Sequence, residues 1–290
     1  MEPRQRRAGW RIGIDLGGTW MRLVAFDAAG RRRDVRAPSP GLDGLPVSLE
    51  RLWRRWGLRR EQVDMLVVAS RGVWTASEKR RRSRPLRALA RRVRVMSDVE
   101  AAYLGALGER AGIVLLAGTG SMALARDGRG RWIRAGGLGP LLGDEGSAFW
   151  IGRQWLARTD AFGRVRRILA SPDPVPRIAA LAPGVLRRAR RGSGLAQDIA
   201  RGAHDALARL VVETTSALPR HGPIIVSWAG SLLGDPRFRR AVWRAVRRRG
   251  ARIEPRAPRE SAAAAVARLA VNADRGTRPP PRSEGIPSQN

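Results

Sequence analysis

Short apolar runs ending in glycine-rich turns alternate along the chain with stretches whose apolar residues recur every three or four positions. The alternation predicts strands at 10–16, 20–26 and 32–36, with a turn over 27–30. SLERLWRRWG at 48–57 places Leu49, Leu52, Trp53 and Trp56 on one helical face. DMLVVAS at 64–70 is apolar throughout, as in a strand covered on both sides. A basic helix near 85–92, a strand at 92–96 and an alanine-rich helix from about 98 to 109 complete a β-β-β-α-β-α-β-α half.

The pattern then restarts. Strands are predicted at 112–117, 121–126 and 131–135, with a helix from about Ser147. Residues 155–220 read mainly as helices interrupted by prolines around 172–184. A buried strand at 223–230, a helix at 236–249, a strand at 251–255 and a helix at 260–272 come next. The stretch after Asn272 has no periodicity and reads as disordered. Gly18-Thr19 and Gly118-Thr119, Met21 and Met122, Asp27 and Asp127, and Gly30 and Gly130 recur at about the same offset. Two related half-domains around one nucleotide are the expectation.

Composition narrows this picture. A chain of 290 residues with 43% hydrophobic content holds two ordinary domains, and no apolar run reaches a membrane span. MEPRQRRAGW lacks the apolar core of a signal peptide, so a cytoplasmic protein is expected. With no cysteine there is no disulfide framework, thiolate metal site or cysteine nucleophile. The formal charge of +31 would attract polyanions, yet Lys79 is the only lysine and arginine is spread over the whole length, as base-composition bias would give. Clusters at 80–84, 187–191 and 247–249 lack any nucleic-acid-reading signature, so non-specific polyanion binding is the most they support.

Candidate chemistry lies in the turns. Asp15-Leu-Gly17-Gly18-Thr19 fits either a plain hairpin or a carboxylate holding Mg²⁺ through water beside amides that face phosphate. Gly118-Thr119-Gly120-Ser121 fits a hairpin or a second phosphate cradle. Asp98 comes after a strand and opens a helix. Ser97-Asp-Val-Glu100 fits a capping box, and Asp98 also fits a general base accepting a hydroxyl proton. Asp144-Glu145, framed by glycines, either caps a helix with Ser147 or bonds substrate hydroxyls. Gly230-Ser231 ends a strand with room for an adenine ring. His204 and His221 stand singly and suggest no metal site, and Walker A, GxSxG and HExxH patterns are absent.

Together these motifs resemble the sugar-kinase, actin and heat-shock-chaperone ATPase superfamily. Within it they look most like the N-acetylglucosamine kinase / BadF-BadG-BcrA-BcrD ATPase branch, over Ile12 to about Ala270 and most specifically in 112–153. The resemblance implies an α/β fold of two ribonuclease-H-like lobes with a nucleotide cleft between them. It divides the chain into an N-terminal lobe (1–110), a nucleotide-binding lobe (111–259), a helix returning to the first lobe (260–272) and a disordered tail (273–290). It implies ATP and Mg²⁺ as cofactors, with Asp15 and Gly17, Gly18 and Thr19 as the first phosphate motif and Asp15 as the metal residue. Gly118, Thr119, Gly120 and Ser121 match the second phosphate motif and Gly230-Ser231 the adenosine motif. Asp98 matches the catalytic base, and Asp144, with Glu145 and Gly137, the substrate-binding loop. The implied partner is a small sugar, with a homodimer allowed and neither a membrane nor a specific nucleic acid expected.

Iron–sulfur activators of this branch need cysteines, so a kinase acting on N-acetylglucosamine or a related amino sugar is favoured. The sugar-pocket segments depart from the family pattern. APSPGLDG at 37–44 lacks the usual asparagine, Leu138 and Pro140 stand where Trp and His are common, and Ser70-Arg71-Gly72-Val73-Trp74 is bulkier and more basic. Arg71 would suit an acidic, muramic-acid-type sugar. A non-kinase ATPase signalling to a partner, or a polyanion binder on a degenerate scaffold, are the competing expectations.

Overall fold

The computed structural model describes residues 9–17, 20–159, 162–216, 218 and 222–272. They divide into two compact units, one drawn from Met1–Gly108 and Arg259–Asn290, the other from Glu109–Pro258. The mixed α/β class expected from the sequence holds, with one five-stranded sheet in each unit.

The first unit runs β1 (Trp10–Leu16), β2 (Trp20–Phe26), β3 (Arg32–Pro38), α1 (Gly41–Trp56), β4 (Val63–Ser70), α2 (Ala76–Ser83), β5 (Arg92–Ser97) and α3 (Asp98–Leu107). Its sheet has the order β3-β2-β1-β4-β5, an antiparallel meander extended by parallel strands on β1. Leu66 and Val68 of β4 join Leu45, Leu49 and Trp53 of α1 on one face, while Met65, Val67 and Ala69 face the other. Burial on both faces explains why this strand lacks polar alternation.

Two helices differ from the sequence expectation. α1 starts at Gly41, well before 48, with Pro46 inside it. The apolar period reaches back to fully buried Leu45, and that burial outweighs the hydrogen bond proline cannot make. The basic helix lies at 76–83, not 85–92, where only a 3₁₀ turn at Pro85–Ala88 forms. Its start is fixed by a capping box in which the Glu78 amide donates to Thr75 Oγ1 at 3.2 Å and the Thr75 amide to Glu78 Oε2 at 2.7 Å.

The second unit runs β6 (Gly112–Ala117), β7 (Ser121–Arg126), β8 (Trp132–Gly136), α4 (Gly139–Leu142), α5 (Ala148–Arg158), α6 (Phe162–Leu169), α7 (Pro174–Ala179), α8 (Ala182–Arg190), α9 (Gly194–Thr215), β9 (Ile224–Ala229), α10 (Ser231–Gly234), α11 (Pro236–Arg248) and β10 (Ile253–Pro255). The proline cluster opens α7 and α8, with prolines in their first turns. The sheet order, β10-β9-β6-β7-β8, repeats that of the first sheet strand for strand.

The β2–β3 and β7–β8 turns repeat it bond for bond. Asp27 Oδ1 accepts from the amides of Ala29 and Arg31 at 2.9 and 2.8 Å, and Oδ2 takes Arg31 Nε at 2.6 Å. Asp127 does the same with Arg129 and Arg131, at 2.9 and 2.8 Å, and takes Arg131 Nε at 2.8 Å. Gly30 (φ 79°) and Gly130 (φ 83°) close the two turns in the left-handed region.

In the second unit, His204 of α9 packs against Phe238 of α11 with ring centroids 4.6 Å apart and planes tilted by 59°, and its enclosed Nε2 has no hydrogen-bond partner among the described residues. Burial lowers its pKa from 6.5 to about 4, with Arg244 and Arg248 adding to the shift and Asp205 opposing it. The unfolded chain therefore takes up this proton as pH falls below 6.5, while the folded protein resists until about 4. Stability is expected to fall through that window by about 3 kcal/mol and then level off. The His204→Gln variant should show a shallower loss of urea midpoint between pH 6.5 and 4; equal slopes would count against the assignment.

The chain returns to the first unit with α12 (Ala262–Asn272), which packs Ala265, Val266 and Ala270 against Met65, Val67 and Ala69. The approach is possible because Gly13 of β1 has no side chain: a Cβ there would lie 2.3 Å from the Ala267 nitrogen. Among the described residues no helix is long and apolar enough to cross a membrane.

Candidate active site

In the first unit, β1, β4 and β5 run parallel, with Leu16 beside Ser70 and Ser70 beside Ser97. Gly17, Arg71 and Asp98 therefore leave the sheet at the carboxyl ends of adjacent strands, where open α/β sheets present ligand-binding groups. Asp15 lies one residue inside β1, opposite Arg22 across β2. Gly17 donates its amide to the Trp20 carbonyl at 3.0 Å, closing the first glycine turn. Gly18 and Thr19 lie outside the described residues.

The capping box anticipated at Ser97–Glu100 forms, but Asp98 is not the cap. Ser97 Oγ accepts the Val99 amide at 3.2 Å, and Glu100 Oε2 accepts the Ser97 amide at 3.0 Å. Asp98 Oδ1 takes a further bond from the Val99 amide at 2.9 Å and one from Ser97 Oγ at 3.3 Å; neither uses Oδ2. Burial pushes the Asp98 pKa up, against those bonds and the nearby charge of Arg71. Asp15 is also raised, first by burial and then by the Asp98 charge, with Arg22 opposing. Two carboxylates that feel each other at one sheet end, flanked by arginines, form the most distinctive electrostatic feature of this unit. Arg22 has no place among the sequence candidates, although antiparallel pairing of β1 with β2 puts it opposite Asp15.

In the second unit the glycine turn after β6 is tied to the start of α5. Gly118 donates to the Gly120 carbonyl at 2.9 Å, while the Gly118 and Thr119 carbonyls accept from Ala148 and Phe149 of that helix, at 2.8 and 3.3 Å. Among the described residues no hydrogen bond takes the amides of Thr119 or Gly120. A Cβ on Gly118 would lie 3.9 Å from the Gly230 Cα and from the nitrogen and Oγ of Ser231, so the structure brings these two motifs face to face.

Asp144 and Glu145 part company. Glu145 is exposed, whereas Asp144 is buried at a positive φ of 60° and its Oδ1 accepts the Ser121 amide at 3.1 Å. Ser121 Oγ donates to the Glu145 carbonyl at 2.8 Å. A Cβ on Gly120 would sit 2.8 Å from the Asp144 carboxylate, so glycine there is required by the brace itself. Burial raises the Asp144 pKa, the Ser121 amide opposes this, and the Glu145 charge adds to it. Asp144 thus fixes the glycine turn, a tie across 23 positions that no local pattern announces. Gly137 (φ 72°) donates to the Ser121 carbonyl at 3.0 Å, a backbone role at the same turn. Leu138, Leu141 and Leu142 beside it are exposed.

Among the described residues no group of three or more His, Asp or Glu side chains could hold a metal ion. A cation would have to share ligands with its anion, as Mg²⁺ does when one carboxylate and substrate phosphates bind it. His221 lies outside the described residues.

A model of the BadF/BadG/BcrA/BcrD ATPase family matches residues 12–266. An N-acetylmuramic acid/N-acetylglucosamine kinase of Clostridium acetobutylicum is 29% identical over 153 residues, 49% of this chain and 50% of that protein. The chain thus spans about half the length of that curated relative. Among solved structures, a candidate N-acetylglucosamine kinase from Chromobacterium violaceum has a TM-score of 0.66 at 22% identity, covering 91% of this chain and 99% of that one. A second, from Porphyromonas gingivalis, has a TM-score of 0.68 at 17% identity, covering 90% and 99%. At these identities the likeness establishes the shared fold.

Proposed function

Since the chain belongs to the BadF/BadG/BcrA/BcrD ATPase family, we propose that it phosphorylates a hydroxyl of an amino sugar, N-acetylglucosamine or a close relative, at the expense of ATP. The observation that carries this reading is Asp98: a carboxylate at a strand's carboxyl end, raised in pKa by burial even though its Oδ1 holds the Val99 amide and the Ser97 hydroxyl. In this role it accepts the proton of the attacking hydroxyl, and a raised pKa makes it the stronger base. The amides of Thr119 and Gly120 suit phosphate oxygens, and Gly118, whose Cβ position meets nothing closer than 3.9 Å, leaves its backbone open to a nucleotide. Asp15 is the carboxylate suited to Mg²⁺. ATP with Mg²⁺ supplies the phosphoryl group and neutralises its charge.

The acceptor class is drawn from Arg71, whose charge bears on Asp98. A guanidinium there suits an acceptor with a carboxylate, such as a lactyl-bearing amino sugar, and the Clostridium relative is named for both kinds of sugar. Coupled ADP release across hexoses, amino sugars and their N-acetyl and lactyl derivatives tests the reading. Stimulation by an amino sugar is expected, and hydrolysis indifferent to every sugar would replace the kinase with a plain ATPase. In the same assay Arg71→Ala should lower kcat/KM for a lactyl sugar by about tenfold or more and for N-acetylglucosamine far less. Equal losses would remove Arg71 from acceptor selection.

A further inference from the structure

Lys79 is the only lysine among 56 basic residues, and it occupies one of the few sheltered ion pairs of the first unit. Its Nζ lies 2.6 Å from Glu100 Oε1, with the two side chains 26% and 11% exposed. Glu100 is the third residue of α3 and reaches back with Oε2 to the Ser97 amide at 3.0 Å. Ser97 in turn donates its hydroxyl to Asp98 Oδ1 at 3.3 Å. A continuous relay of bonds therefore runs from α2 to the carboxylate assigned as the base.

The choice of lysine in so arginine-rich a chain has a chemical reason. Glu100 Oε2 accepts the Ser97 amide while Oε1 faces Lys79, and a buried carboxylate calls for a countercharge. A guanidinium would engage both carboxylate oxygens as a planar fork and draw Oε2 away from the Ser97 amide. An ammonium is a point charge that neutralises Glu100 through one oxygen and leaves the other to the backbone.

We propose that Lys79 is a positioning residue: by pairing with Glu100 Oε1 alone, it holds the N-terminal cap of α3 and thereby the orientation of the Asp98 carboxylate. The proposal rests on the kinase reading. It is tested on the full chain by measuring kcat and KM for ATP and sugar in Lys79→Met, Lys79→Arg and the double variant Lys79→Met/Glu100→Gln. Misplacement of a catalytic group by a fraction of an ångström is expected to lower kcat of Lys79→Met by about tenfold or more, with KM for ATP within about twofold. Lys79→Arg should also lose kcat, because the fork competes for Oε2. The double variant should regain most of the rate, since a glutamine oxygen still accepts the Ser97 amide without carrying a charge. Should Lys79→Met fail to fold, the double variant carries the measurement, and a rate near that of the parent supports the relay. A Lys79→Met protein with unchanged kcat, or a double variant no faster than the single one, overturns the proposal. A parent protein without sugar-stimulated ADP release overturns the kinase reading instead, and is recognised before any variant is compared.

Discussion

Replacing Asp98 by asparagine is expected to lower sugar-stimulated ADP release by about 10²–10⁴-fold while ATP still binds. The substitution is close to isosteric. An amide oxygen in place of Oδ1 still accepts from the Val99 amide and from Ser97 Oγ, so the start of α3 keeps its bonds. What disappears is Oδ2 as a proton acceptor, replaced by an NH₂ group that can only donate. ATP affinity from calorimetry, set beside single-turnover rates, checks this. A variant that binds ATP and retains its rate would remove Asp98 from the chemistry, whereas loss of both would show the cap itself to be damaged.

The second large effect is structural. Gly230 leaves β9 at φ 94°, and a Cβ there would lie 2.3 Å from the Ala117 carbonyl oxygen and 2.5 Å from its carbon. Neither atom belongs to a side chain that can swing away. Gly230→Ala must therefore displace the end of β6, and with it the turn that begins at Gly118. Overpacking and a left-handed alanine together are expected to cost about 2–5 kcal/mol, seen as a lowered Tm and weakened ATP binding. Gly234→Ala, four residues on, meets nothing within 4 Å and should leave both quantities unchanged. Equal behaviour of the two variants would contradict the close approach of β9 to β6.

The strand framework was legible because its signals are local. Apolar runs end in glycine turns, and the Asp27 and Asp127 loops carry their hydrogen bonds within five residues. The helices were less so. The start of α1 was hidden by Pro46, and α2 by an arginine run without apolar period, although Thr75 and Glu78 marked its first turn. At the candidate site, Asp15 and Asp98 were visible as carboxylates at strand ends. Their mutual influence depends on strand order and could not be read from spacing. Asp144 shows the limit most clearly: a glycine-framed acid suggests a ligand or a helix cap, while its bond from the Ser121 amide, 23 positions away, is visible only in the fold. The pairing of Lys79 with Glu100 likewise spans 21 positions, and its one advance sign was the rarity of the residue type.

That rarity also makes the folded chain almost blank to amine-directed reagents. Apart from the α-amino group, an acylating dye, a cross-linker or an activated resin finds a single side chain to attack, half-sheltered on α2. Covalent attachment by such reagents would settle beside the start of α3 and report directly on the surroundings of Asp98. A protease that cuts only after lysine would have one bond to find, between Lys79 and Arg80.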